Sequence, residues 1–419
     1  MAVGRIRVLG VVASAVVTLT ASGAWLSGGA VAATATQDSI VVVAPGVDAL
    51  AVAAGFGLTP DAVWRVALHG FSADLTNAQV AGLRGDSRVL SVTANRSFRQ
   101  NAGVLAGYSV FSSQSVPTAI ARIGATSSVT ADIDKRDDAR ADVDVAVIDG
   151  QVQTDHPDLN VVGGTDCTGS GPSAGDGHAT FAAGTIGAID NKIGVVGVAP
   201  GARIWSVRIF DSQGISSDQR VLCGVEWVTA HANVIDVANM SFEDEWSDRG
   251  GTCDQPRGDA LVAAICEMTA AGVTAVAAAG NDAADASGFQ PAGLPGVITA
   301  SALADYDGKP GGKSKPTCAN GSYGPDDTFA SFSNFGSAVD IAAPGACVTS
   351  TYAGGAYALW YGTSFSSSYT AGAAALYKAT HPAATPGEVL AALVAAQEPG
   401  PIPGDPDGFH EGVLRVDTF

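Results

Sequence analysis

Two runs of this chain are apolar almost without alternation: Val145-Ala146-Val147-Ile148 and Val273-Thr274-Ala275-Val276-Ala277-Ala278-Ala279. Each runs straight into polar chemistry, Asp149 after the first and Gly280-Asn281 after the second. A strand buried on one face alternates apolar and polar residues, whereas a continuous run marks a strand covered on both faces. Helical stretches lie at His178–Ile186, Ser217–His231, Ala260–Ala271 and Ser364–Thr380. Strands alternating with helices from Pro117 onward predict an α/β fold, a mostly parallel sheet between helical layers. In such folds functional groups collect where strand carboxyl ends meet helix N-termini. Asp149 and Asn281 stand at such ends.

The preceding residues follow a different plan. Residues 1–35 have the pattern of a cleaved secretory signal: Arg5 and Arg7, an apolar stretch from Val8 to Leu26, then Ala30-Val31-Ala32. Ala/Gly-rich composition with this leader points to a bacterial secreted protein, and no later segment is long and apolar enough to span a membrane once the leader is removed. Residues 36–99 predict a small α+β, ferredoxin-like unit of β-α-β-β-α-β order. Its strands are expected at Ile40–Val43, within Trp64–Leu75 and at Val89–Ala94, its helices at Val47–Ala54 and Asn77–Leu83. Residues 100–116, rich in Ser, Gly and Gln, predict an exposed linker with a processing site.

A net charge of −19 argues against nucleic acid or an anionic membrane as partner, since either needs a basic face. Six cysteines follow the leader, none in CxxC spacing, and they permit fifteen pairings. The expectation is three disulfides of an exported protein, Cys253–Cys266, Cys318–Cys347 and Cys167–Cys223.

Polar blocks turn the α/β pattern into a chemical expectation. A carboxylate at the mouth of a buried strand is costly unless paired, and a histidine is a suitable partner for Asp149. Among the six histidines, His178 alone opens a small-residue helix, His178-Ala179-Thr180-Phe181-Ala182-Ala183-Gly184. Ser364, in Gly362-Thr363-Ser364-Phe365-Ser366, leads into Ala371-Gly372-Ala373-Ala374-Ala375. A hydroxyl at a helix N-terminus meets orphan N–H groups that favour developing negative charge. Asn281 offers an amide donor. Each block has an ordinary reading as a cap, a turn or a structural histidine; their ordered set does not.

The order Asp149, His178, Asn281, Ser364 resembles the subtilisin-like serine proteases, or subtilases. Gly197-Val198-Ala199-Pro200-Gly201-Ala202, Asn239-Met240-Ser241, Phe332-Ser333-Asn334-Phe335-Gly336 and Ala343-Pro344-Gly345 extend the resemblance over 117–419. It implies a secreted endopeptidase with an Asp149–His178–Ser364 triad and an Asn281 oxyanion donor, needing no cofactor for its chemistry. Protein or peptide substrates would lie along Ser241, Phe242 and Glu243 on one edge and Ala278, Ala279 and Gly280 on the other. The 36–99 unit, with His69-Gly70-Phe71-Ser72-Ala73, resembles the propeptide that inhibits such enzymes intramolecularly until autoprocessing. A structural calcium ion is also implied, with Asp158 and Asn191 supplying side-chain oxygens and Ile189, Ile193 and Val195 carbonyls.

Departures from the family pattern cluster near the chemistry. Gly150-Gln151 stand where a hydroxyl residue and glycine are usual, Phe181 replaces a second histidine, Phe365-Ser366 replace Met-Ala, and Ser368-Tyr369 replace Pro-His. Glu243 and Asp244 occupy a usual Gly-Gly, and with Asp282 they predict a negative cleft that favours a basic or polar residue before the cleaved bond. The alternative that these changes raise is a secreted subtilase-like peptide-binding module with weak or no activity. A lipase or esterase is excluded, because Gly-x-Ser-x-Gly is absent around Ser364 and the order differs.

Overall fold

The computed structural model describes residues 35–100, 111, 113–171, 173–245, 251–254, 258–316, 318 and 323–419. The expected leader, save its last residue, and most of the 100–116 linker lie outside them.

The first apolar run forms the strand Asp144–Asp149, buried at every position. It lies inside an eight-stranded sheet. Val237–Met240 and Arg203–Arg208 flank it in parallel, and Val161–Asp166 closes that edge. On the other side follow Thr274–Ala278, Val297–Ala304 and Ile341–Pro344, again parallel. Thr328–Phe329 is antiparallel. Helices cover both faces, so the fold is a three-layer α/β arrangement with a mostly parallel sheet. Continuous apolar strands are the direct consequence, since neither face meets water.

Small residues set how closely the layers approach. The helix Thr363–Thr380 runs buried beneath the sheet, and a Cβ on Gly372 would come within 2.6 Å of Val198 Cβ. The helix Gly177–Gly187 is capped by Asp176, whose carboxylate accepts the Ala179 N–H at 3.0 Å. That cap fixes where the helix begins and holds His178 in its first turn.

The N-terminal unit has the expected element order. Its strands lie Ala62–Trp64, Gly70–Thr76, Thr36–Val43, Val89–Ala94 across one antiparallel sheet, with helices Ala49–Gly55 and Asn77–Arg84. The last five residues of the Thr36–Val43 strand are all buried, and alternate ones join different cores. Val41 and Val43 enter the unit's own core with Phe71, Leu75 and Leu83. Ile40 and Val42 face the other way and pack with Trp64 among Val221, Val225, Ala264 and Ile265 of the larger domain's helices. Both faces are thereby buried, and Thr36–Phe419 is one compact unit.

Three disulfides form, with the expected pairing: Cys167–Cys223, Cys253–Cys266 and Cys318–Cys347. No helix of the described residues is long and apolar enough to cross a membrane. One expectation changes. The 100–116 stretch is not simply exposed: Gln114 is buried, and its amide donates to Asp190 while its carbonyl oxygen accepts the Asn191 N–H at 2.6 Å. Polar residues drew the linker assignment, but a side chain with both donor and acceptor is stable inside when both are matched.

Candidate active site

Asp149 ends its strand fully buried, and the His178 Nδ1–H donates to its Oδ2 at 2.8 Å. Residues 29 positions apart therefore meet at the strand's carboxyl end. The other carboxylate oxygen, Oδ1, accepts the Gly150 N–H at 2.6 Å and the Gln100 Nε2–H at 2.7 Å. The proton on Nδ1 leaves His178 Nε2 as the free acceptor. Burial pulls the His178 pKa down, but the charge and hydrogen bond of Asp149 outweigh it and leave the pKa above the usual 6.5.

The departures flagged in the sequence pack against one another here. Phe181 lies 4.2 Å between centroids from Phe365, and both rings contact Trp360. His178 sits edge-on to Trp360 at 5.6 Å and equally close to Phe365. Replacing a histidine by Phe181 and a methionine by Phe365 thus gives one aromatic cage around the imidazole, each change filling space beside the other.

Asn281 and Ser364 come together at Gly362, where a Cβ would lie 3.6 Å from Asn281 Oδ1 and 3.9 Å from Ser364 Oγ. Gly362 has φ of 141°, a backbone shape closed to most side chains. Asn281 Oδ1 accepts the Thr363 N–H at 2.9 Å and the Thr363 hydroxyl at 3.2 Å. These bonds fix the amide flip and turn Nδ2 the other way. The Ser364 hydroxyl donates to the Ser241 carbonyl at 3.3 Å and not to His178. The Ser364 carbonyl in turn accepts hydroxyls from Ser241 at 2.7 Å and from Ser367 and Ser368 at 2.8 Å each.

The expected groove edges face each other at Gly280 and Glu243. The Glu243 carboxylate lies against Gly280 where a Cβ would stand, and accepts the Asn281 N–H at 2.9 Å. Ala278 and Ala279 are buried in the strand end, Ser241 is buried, and Phe242 turns into an aromatic pocket. Sequence reasoning missed a third edge, Ile215–Ser217. The chain's own Ser97–Arg99 pairs with it antiparallel, and the Gln100 N–H donates to Gly214 at 2.9 Å. Phe98 inserts between Phe242, at 5.9 Å, and Phe210, at 5.8 Å. Gln100 follows, on Asp149. The segment is added to the Ile215–Ser217 edge as an antiparallel strand, the mode by which extended peptides bind.

Glu226 was missed as well. Its carboxylate accepts three consecutive backbone N–H groups of the N-terminal unit, Arg65, Val66 and Ala67, at 2.7, 2.8 and 2.7 Å. Arg96 pairs with Asp218 at 3.0 Å and with Asp244 at 3.3 Å. No local motif signals such contacts, because the partners are more than a hundred residues apart.

Of the expected calcium ligands, Asp158, Asn191, Ile193 and Val195 come together through protein hydrogen bonds. Asp158 Oδ1 accepts the Asn191 Nδ2–H at 2.7 Å and Oδ2 the Val195 N–H at 2.9 Å, while Asn191 Oδ1 accepts the Ile193 N–H at 2.7 Å. An oxygen that takes one N–H keeps a second lone pair, and Ile189, Ile193 and Val195 would each offer a carbonyl oxygen, so a cation remains compatible with the set. Burial pushes the Asp158 carboxyl up to about 6. The loop is closed by protein hydrogen bonds. A different acidic group, Asp305, Asp307 and Asp326, brings one carboxylate oxygen each within 4.8 Å of the others; the sequence reading did not single it out.

Residues 140–413 match the model of the subtilase family, Peptidase_S8. Subtilisin NAT of Bacillus subtilis subsp. natto is 36% identical over 257 residues, 60% of this chain and 58% of its own length. Subtilisin Savinase of Lederbergia lenta is 36% identical over 255 residues, 60% of this chain and 80% of its own. The match thus spans little more than half of the first relative. A crystal structure of a cold adapted subtilisin-like serine proteinase superposes with a TM-score of 0.53 at 28% identity, covering 68% of this chain and 97% of that one. With the family model matching well over half of its length, this chain belongs to the subtilases.

Proposed function

We propose that the chain is a secreted serine endopeptidase, made as a precursor that its own 36–99 unit holds inactive. The observation that carries this reading is the Asp149–His178 hydrogen bond of 2.8 Å, with the His178 ring 5.6 Å from that of Phe365, the residue after Ser364. Asp149 orients the imidazole and favours its protonated form. His178 Nε2 takes the Ser364 proton once the hydroxyl turns from the Ser241 carbonyl. The Ser364 oxygen then bonds to the peptide carbonyl carbon, and Asn281 Nδ2 with the Ser364 N–H holds the oxyanion. As the C–N bond breaks, His178 gives the proton to the leaving amine, and water releases the acyl group by the reverse route. The chemistry needs no cofactor.

The seating of Ser97–Gln100 supports inhibition by the N-terminal unit, since that strand fills the place a substrate would take. Disulfides and similarity to subtilisins of bacilli support an oxidising, extracellular setting. The second reading, a peptide-binding subtilase without turnover, draws on the Ser364–Ser241 bond of 3.3 Å. Expression of the wild type and Ser364→Ala separates the two. Loss of the segment before about Pro117 by the wild type alone, read by N-terminal sequencing, supports the enzyme. Equal accumulation of both precursors supports the binder.

A further inference from the structure

Asp176 touches both elements that carry the buried Asp149–His178 pair. Its N–H donates at 2.5 Å to the carbonyl of Gln151, two residues beyond Asp149. Its carboxylate accepts the Ala179 N–H at 3.0 Å and caps the helix that His178 opens. The same carboxylate lies over Gly150, where a Cβ would come within 2.7 Å of Asp176 Cγ and 2.8 Å of its Oδ1. Gly150 in turn gives its N–H to Asp149 Oδ1 at 2.6 Å. The glycine that stands in place of the usual hydroxyl residue is thus what leaves room for this carboxylate. Charge follows the geometry. Burial, and after it the Asp149 charge, raises the Asp176 carboxyl above its ordinary range. Burial lowers the His178 pKa, whereas Asp149 and then Asp176 raise it. Protons on the three groups are thereby linked. The rings against the imidazole, Trp360 and Phe365, carry no charge, and Gln100 on Asp149 is neutral. From the hairpin that bears Trp360, Tyr352 is the titratable group that faces Gly177.

We propose that Asp176 is a positioning residue that ties the strand end carrying Asp149 to the helix start carrying His178 and sets a second negative charge near the imidazole. Asparagine caps a helix about as well as aspartate, so Asp176→Asn keeps the tie and removes the charge. Asp176→Ala removes the charge and the cap together. The proposal rests on the reading of the chain as a working peptidase.

The test follows the acid limb of kcat/KM on one peptide substrate for the matured wild type, Asp176→Asn and Asp176→Ala, with fluorophosphonate titration of parallel samples counting active sites. Removing a negative charge makes the imidazole less basic, so the Asn variant should have its midpoint at lower pH with a plateau nearly unchanged. The Ala variant should show the same displacement and a plateau at least about tenfold lower, since a misplacement of about 1 Å can cost about 10²-fold. Gly150→Ala, which drives a methyl into the carboxylate's space, should lower the plateau alone and cost much less in an Asp176→Gly background. An Asn midpoint equal to or above that of the wild type overturns the proposal. So does an Ala plateau equal to that of the wild type, or a Gly150→Ala loss that is the same in both backgrounds. A wild type that neither labels nor cleaves instead overturns the peptidase reading, and this proposal with it.

Discussion

The two halves of the candidate site are built on different physics. The Asp149–His178 half is a buried charge pair inside an aromatic cage of Phe181, Trp360 and Phe365. The Ser364–Asn281 half is a polar web in which Ser241, Thr363, Ser367 and Ser368 exchange hydrogen bonds within a few ångströms. Burial strengthens the electrostatic coupling of the first pair, because low dielectric magnifies a matched charge. In the second, orientation matters more than burial: Gly362 and the Thr363 bonds decide where the amide and hydroxyl point.

The division is broken or sharpened by substitutions on each side. On the buried side, Asp149→Asn should lower kcat by about 10⁴-fold, the loss seen when a triad carboxylate is replaced and the imidazole takes the wrong tautomer. Single-turnover kinetics would measure it, and a loss under tenfold would place Asp149 outside the chemistry. Phe181→Ala should cost about 3–5 kcal/mol of stability through the cavity left in the cage. Chemical denaturation in a Ser364→Ala background reads it without self-digestion; a change near zero would mean that the cage is not a packing unit.

On the polar side, Asn281→Ala should lower kcat by about 10²–10³-fold with KM nearly unchanged, a magnitude taken from a subtilisin itself. A KM effect alone would make Asn281 a ground-state contact. The pH profile gives the smallest effect. The His178 pKa lies above 6.5, and the base must be neutral to accept a proton. The acid limb of kcat/KM should therefore rise through a midpoint above 6.5, and a midpoint at or below that value would contradict the coupling to Asp149.

Much of this was legible in the chain. The run Val145–Ile148 became a fully buried strand because its pattern leaves no face for water, and the N-terminal unit's Val89–Ala94 strand formed at its expected bounds. Asp149 and His178 were found because each sits at an element end with a local signature. The missed parts have other causes. The helix Pro386–Ala396 carried a readable start, Thr385 and Glu388 closing a capping box around Pro386, that was passed over. The hairpin Val348–Tyr352 with Ala356–Trp360, which supplies Trp360 to the cage, has short strands with little period. Gln100 on Asp149 and Glu226 under three N–H groups are long-range matches, and no window of sequence contains both partners.

The central claim is most directly tested by mapping a fluorophosphonate adduct on the matured chain by peptide mass spectrometry. The account predicts a single adduct on Ser364 that His178→Ala abolishes. A matured chain left unmodified, or one modified at another serine with His178 irrelevant, would contradict it.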